Sequence, residues 1–116
     1  MATKKQVEAK LRELIRRLDE AGGGAQGHLA RALPNARVIQ IEVRDLDAHY
    51  WTELANGRLG NLRTGARDGS DIRVTADADD LIAMIDGDRN LLTSYLTGRI
   101  KVRASASDLL ALRRLM

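Results

Sequence analysis

The hydrophobic period of this chain shifts at Ala36 from about 3.6 residues to 2, and that shift constrains the fold more than any other feature. Before it, Val7, Leu11, Leu14, Ile15 and Leu18 form one stripe along residues 4–20, with Lys10, Arg12, Glu13, Arg16 and Arg17 outside it. Gly22, Gly23 and Gly24 stop that helix, because each Gly in a helix interior costs ~1 kcal/mol. A short second helix is expected at 25–33, closed by Pro34-Asn35. After Ala36, Ile39, Ile41 and Val43 alternate with Gln40, Glu42 and Arg44, the pattern of a half-buried strand.

The meander continues from there. Asp45–Asp47 reads as a turn, and Ala48–Leu54 carries His49, Tyr50, Trp51 and Thr52, which suit a pleated surface. Asn56-Gly57 is a strong two-residue hairpin signal, so Arg58–Thr64 should return antiparallel. Asp71–Ala76 is expected as a fourth strand, with Ile72 and Val74 on one face. The period then lengthens again. Asp77 is an N-cap candidate before Ala78, Leu81, Ile82, Met84 and Ile85, and Gly87 ends that helix. Leu91, Leu92, Tyr95 and Leu96 form one side of a short helix ended by Gly98. Arg99–Ala104 alternates with Ile100, Val102 and Ala104 inward. Ser105–Asp108 offers a cap for a last helix carrying Leu109, Leu112, Leu115 and Met116 on one stripe, with Leu110 outside it.

These elements predict an α+β fold: a mostly antiparallel five-stranded sheet covered by helices on one face. An N-terminal helical segment, 1–35, is expected to join a domain at 36–116 in a single folded unit of 116 residues.

Composition removes several function classes. With no Cys there is no disulfide framework and no thiolate metal site. Lys and Arg exceed Asp and Glu by three, spread along the chain, and three aromatic residues do not make a stacking platform, so nucleic acid is not an expected partner. No apolar run reaches the ~20 residues that span a bilayer, and the charged N-terminus lacks a secretory pattern, so a cytoplasmic location is expected. No phosphate loop or G-x-S-x-G elbow is present. Helix capping accounts for Asp77 and Asp88 of the acidic group that also holds Asp79, Asp80 and Asp86 better than a metal does. His28 and His49 have no evident catalytic partner. No catalytic residue, metal ligand or cofactor is expected.

From about residue 36 onward the chain resembles the sterol carrier protein, or non-specific lipid transfer protein, family. The resemblance is most specific across Asp80-Leu81-Ile82-Ala83-Met84-Ile85, Gly87, Asn90, Tyr95, Leu96 and Gly98-Arg99-Ile100-Lys101-Val102, with its two Gly eleven positions apart. Tyr95 stands where the family usually has Phe, Leu91 replaces a common Pro, and Ala104 replaces a common Gly. The chain has no Phe, where the family often places bulky aromatics at the cavity.

The resemblance implies non-catalytic binding and carriage of a fatty acid, acyl-CoA, sterol or phospholipid in an apolar tunnel between the sheet and the last helix. The tunnel lining it implies is Ile39, Ile41, Trp51, Ile85, Leu92, Tyr95, Leu96, Ile100, Val102, Leu109, Leu112 and Leu115. Trp51 and Tyr95 also read as packing residues, and the last helix as an ordinary core helix or a partner surface through Leu110. Arg99, Lys101 and Arg103 form an outer basic row suited either to solubility or to transient contact with a membrane surface. The expected partner is a lipid or other apolar small molecule, the chain itself being monomer or homodimer. The alternative is an interaction module with a filled core that binds no lipid.

Overall fold

The computed structural model describes residues 2–22, 31, 33, 35–88 and 90–115, with backbone alone for 21, 22, 91, 92, 112, 114 and 115. Its elements are α1 (Lys4–Gly22), β1 (Arg37–Val43), a 3-10 turn (Arg44–Leu46), β2 (Ala48–Ala55), β3 (Arg58–Leu59), β4 (Arg63–Thr64), β5 (Ile72–Ala76), α2 (Ala78–Ile85), α3 (Leu91–Leu96), β6 (Ile100–Arg103) and α4 (Ala106–Leu115). The expected helix at 25–33 falls almost wholly outside the described residues.

The strands form one six-stranded sheet in the order β3-β2-β1-β5-β6, with β4 also on β2. Two expectations are corrected here. The first is the strand count: the returning arm of the hairpin breaks into β3 and β4. Five residues of β2, Tyr50 to Leu54, oppose six, Leu59 to Thr64, so a bulge interrupts the ladder. Gly60 fills the break, its N–H donating to the Glu53 carbonyl at 2.8 Å and its carbonyl accepting from the Thr52 hydroxyl at 3.0 Å. The Asn56-Gly57 turn is as expected, with both residues at positive φ, 53° and 75°.

The second correction concerns β5, which does not extend the meander but pairs parallel with β1 on its far side. The chain reaches it by crossing the sheet face away from the helices. Along that path the Arg67 N–H donates to Gln40 Oε1 at 3.3 Å, and Asp71 and Val38 exchange two hydrogen bonds of 2.8 and 2.9 Å. This cover explains why polar Gln40 is buried.

All described helices that pack on the sheet lie on its other face. A Thr3–Gln6 capping box starts α1, each residue's side chain accepting the other's backbone N–H. Val7 and Leu11 of α1 and Leu81 and Ile85 of α2 bury against Ile41, Val43, Tyr50, Ala76 and Ile100. The Tyr50 hydroxyl donates to Glu8 at 3.2 Å and Arg17 donates to the Ile85 carbonyl at 2.7 Å, so polar groups also tie α1 to the sheet and to α2. The expected Asp77 side-chain cap on α2 is absent. Asp77 pairs with Arg44, and Asp45 of the 3-10 turn accepts from the Ala78 N–H at 2.9 Å instead.

Candidate functional site

The pleat sorts the sheet residues into two sets. Register brings Arg37, Ile39, Ile41, Val43, Tyr50, Leu54, Ile72, Val74, Ala76, Ile100 and Val102 to the helix face. Their cover is uneven. One apolar cluster lies under α1 and α2; a second gathers Leu33, Leu54, Ile72 and Ala111 of α4 at the other end. Ile39, Val74 and Val102 belong to the margins of both and are only partly buried in each. Ile39 and Val74 stand on the central strands β1 and β5, whose side chains are normally the best covered, and Val102 pairs with Val74 from edge strand β6, so this diagonal marks a seam between the two clusters.

The helix at this end of the face is α4, whose described side chains Asp108 and Ala111 are buried and Leu109 half-buried. Ser105 caps it, accepting from the Asp108 N–H at 3.2 Å. Its main polar tie is a two-pronged pair, Arg37 Nε to Asp108 Oδ2 at 2.8 Å and Arg37 Nη2 to Asp108 Oδ1 at 3.0 Å. Hydrogen bonding from Arg37 holds the Asp108 carboxyl below the ordinary aspartate range, against the opposing pull of its burial. Arg37 and Ile39 share the helix face of β1, so this latch sits at one end of the seam.

Placement of the expected lining residues follows from these faces. Ile39, Ile41, Ile100 and Val102 share the helix face, and Ile85 faces them from α2. Leu109 is half-buried on α4. Trp51 is corrected: it pairs with Gln40 and Arg63 on the opposite sheet face, under the guanidinium of Arg67 at 4.4 Å. Tyr95 and Leu96 are also set apart. The six-residue α3 turns Ser94 inward, leaving Tyr95 42% and Leu96 73% exposed. The side chains of Leu92, Leu112 and Leu115 lie outside the described residues. Sequence reasoning missed Val74, Arg37 and Asp108. Val74 was legible as an inward strand residue; the Arg37–Asp108 pair, 71 positions apart, left no local signal.

A tunnel is not seen among the described residues. A depression of about 460 Å³ lies between α1 and the β3–β4 arm, with Ile15, Leu59 and Leu62 among charged α1 residues. Another, of about 260 Å³, is lined by Asp88, Asn90, Thr93, Ser94, Thr97 and Arg99. Neither reaches the seam. Among the described residues no three of His, Asp and Glu converge on one point. His49 Nδ1 is buried without a hydrogen bond on the face away from the helices.

The family model of the SCP-2 sterol transfer family matches residues 7–116. The chain belongs to that family. Membership supports lipid binding or transfer in general terms, and solved structures bear out the fold. The sterol carrier protein 2 like 2 of Aedes aegypti superposes with a TM-score of 0.70 at 15% identity, covering 95% of both chains. The same mosquito protein in its palmitated form gives 0.64 at 13% identity, over 94% of this chain and 92% of that one. The sec-alkylsulfatase Pisa1 of Pseudomonas sp., as a double mutant, gives 0.68 at 20% identity. There 99% of this chain is covered but only 16% of the sulfatase, so the chain spans a small part of that enzyme's length. No curated protein sequence gives a significant match. No helix among the described residues is long and apolar enough to cross a membrane.

Proposed function

We propose that this sterol carrier family chain binds one apolar ligand along the seam between the sheet and α4 and carries it unaltered, in the cytoplasm. The observation that carries the reading is the partial exposure of Ile39, Val74 and Val102 between the two covered clusters of the helix face. A hydrocarbon chain laid there removes both its own surface and theirs from water, at ~25 cal/mol per Å² or ~0.8 kcal/mol per CH₂. A twelve-carbon chain thus gains on the order of 10 kcal/mol before the entropy of binding is subtracted. Binding of this kind needs room and apolar walls but no reacting group. Lifting α4 would provide that room; among its described side chains, half-buried Leu109, Ala111 and the Arg37–Asp108 pair hold it. The ligand class is a fatty acid, acyl-CoA, sterol or phospholipid.

Displacement of a fluorescent fatty acid by each of these lipids, with native mass spectrometry of the freshly purified protein, tests the reading. Saturable one-to-one binding and a co-purified lipid mass are expected. No saturable binding of any of the four classes would end the carrier reading.

Exposed Leu110, on α4 and 56% accessible, supports a second reading as an interaction module that associates through that helix. A dimer whose mass by light scattering does not change with concentration, and which Leu110→Glu dissociates, would favour it.

A further inference from the structure

The sheet face away from the helices is organised by charge. Register lines up Arg63, Trp51, Gln40, Arg73 and Arg103 in a single row across β4, β2, β1, β5 and β6. The next row places Lys101 beside Thr75 and Glu42. Arg73 and Arg103 are direct neighbours on antiparallel strands, an arrangement that repels. Among the described residues no carboxylate pairs with Arg73, Lys101 or Arg103. The strand-borne acids on this face are Glu42 and Glu53, and Glu53 is engaged by Arg67 at 2.7 Å. Asp68 and Asp71 stand on the crossing loop, where Asp71 accepts from the Val38 N–H. The β5–β6 end is therefore the cationic end. Arg99, expected in the same row, leaves it for Asp80 at 3.4 Å.

We propose that this β5–β6 end docks against the anionic headgroups of a lipid bilayer. Phosphates lying across Arg73 and Arg103 relieve a repulsion that nothing within the described protein relieves, and each such cation adds about fivefold to membrane affinity. The surface is suitably placed for exchange. β6 is an edge strand that turns Lys101 and Arg103 to this face and Val102 to the seam. A bilayer touching the former lies one strand's thickness from the latter. This placement rests on the carrier reading; the charge argument does not. A nucleic acid is less well matched, because Arg67 already occupies the ring face of Trp51 that a base needs.

The experiment measures co-sedimentation of the full chain with phosphatidylcholine vesicles, with or without phosphatidylglycerol. Expected are binding that requires phosphatidylglycerol and loss of that binding at about 0.5 M salt as screening shortens. Arg73→Glu and Arg103→Glu, tested singly, each convert the repelling pair into an attracting one. Each should weaken vesicle binding about tenfold or more while leaving Tm unchanged or raised. Both should keep fatty-acid displacement in vesicle-free solution, which separates failure here from failure of the carrier reading. Absent binding, equal binding to neutral vesicles, full binding by both variants, or tighter binding to DNA than to vesicles overturns the proposal.

Discussion

The two ends of the helix face are built from the same residue types and are covered differently. Under α1 and α2, Val43, Ala76 and Ile100 form one cross-strand row at 0% exposure, with Val7 of α1 also sealed. One row along, Val74 and Val102 pair in the same register yet remain partly open beneath the approach of α4. The difference lies in the covering helix. α1 is 19 residues long, capped at its start, and tied to both the sheet and α2. α4 has 10 residues, and among its described side chains Ala111 and one ionic latch anchor it. Where the longer helix lies the row beneath is sealed; where the shorter one approaches, the row stays partly open.

The largest expected contrast comes from truncation. Ile100→Ala should cost about 2–5 kcal/mol, because its surroundings are closed and cannot collapse. Val102→Ala, on the same strand, should cost about 1 kcal/mol, since part of that side chain is already in water. Equal losses in urea melts would erase the distinction between the two ends. Enlargement sharpens it. Overpacking a filled core typically costs about 1–3 kcal/mol, whereas Val74→Phe should leave Tm nearly unchanged and weaken fatty-acid binding at least tenfold. A large drop in Tm with binding intact would mean that the seam is already full.

The latch gives a smaller effect with a pH signature. Because its folded pKa is lowered, Asp108 contributes fully above the ordinary unfolded value of about 3.9. That contribution fades as pH falls below this value toward the folded one. Asp108→Asn should lower Tm at neutral pH by roughly 5 °C and flatten the acid limb of the stability profile. It should also speed ligand exchange. The smallest effect is expected from Tyr50→Phe at the closed end. It removes one hydrogen bond to Glu8 and should cost about 0.5–1.5 kcal/mol without altering binding, as thermal melts and probe displacement would show.

What the sequence made legible was local. Alternation marked β1, β2 and β6, the Asn56-Gly57 pair specified its turn by backbone conformation, and the glycine stops bounded α1 and α2. What escaped was set by long-range competition. Arg58–Thr64 does not alternate strictly, since Leu59 and Leu62 are three apart with Gly60 between them, but where the bulge falls and how it splits β3 from β4 depends on pairing with β2. Parallel placement of β5 depends on where a loop crosses, and period-2 patterning is the same for either neighbour. Trp51 shows the reverse error. Its alternation with Tyr50 and Thr52 already put it on the other face from Tyr50, whereas the lining that included it came only from the family resemblance. Asp77 was outcompeted as a cap by Asp45, which reaches across from the 3-10 turn, 33 positions from the Ala78 N–H it serves.

Methyl-resolved NMR of the protein with a perdeuterated background and a protonated palmitate chain addresses the seam most directly. Nuclear Overhauser contacts from the acyl methylenes to Ile39, Val74 and Val102, and none to Val43 or Ile100, are predicted. Contacts confined to residues other than these three, under conditions where palmitate binds saturably, would contradict the account.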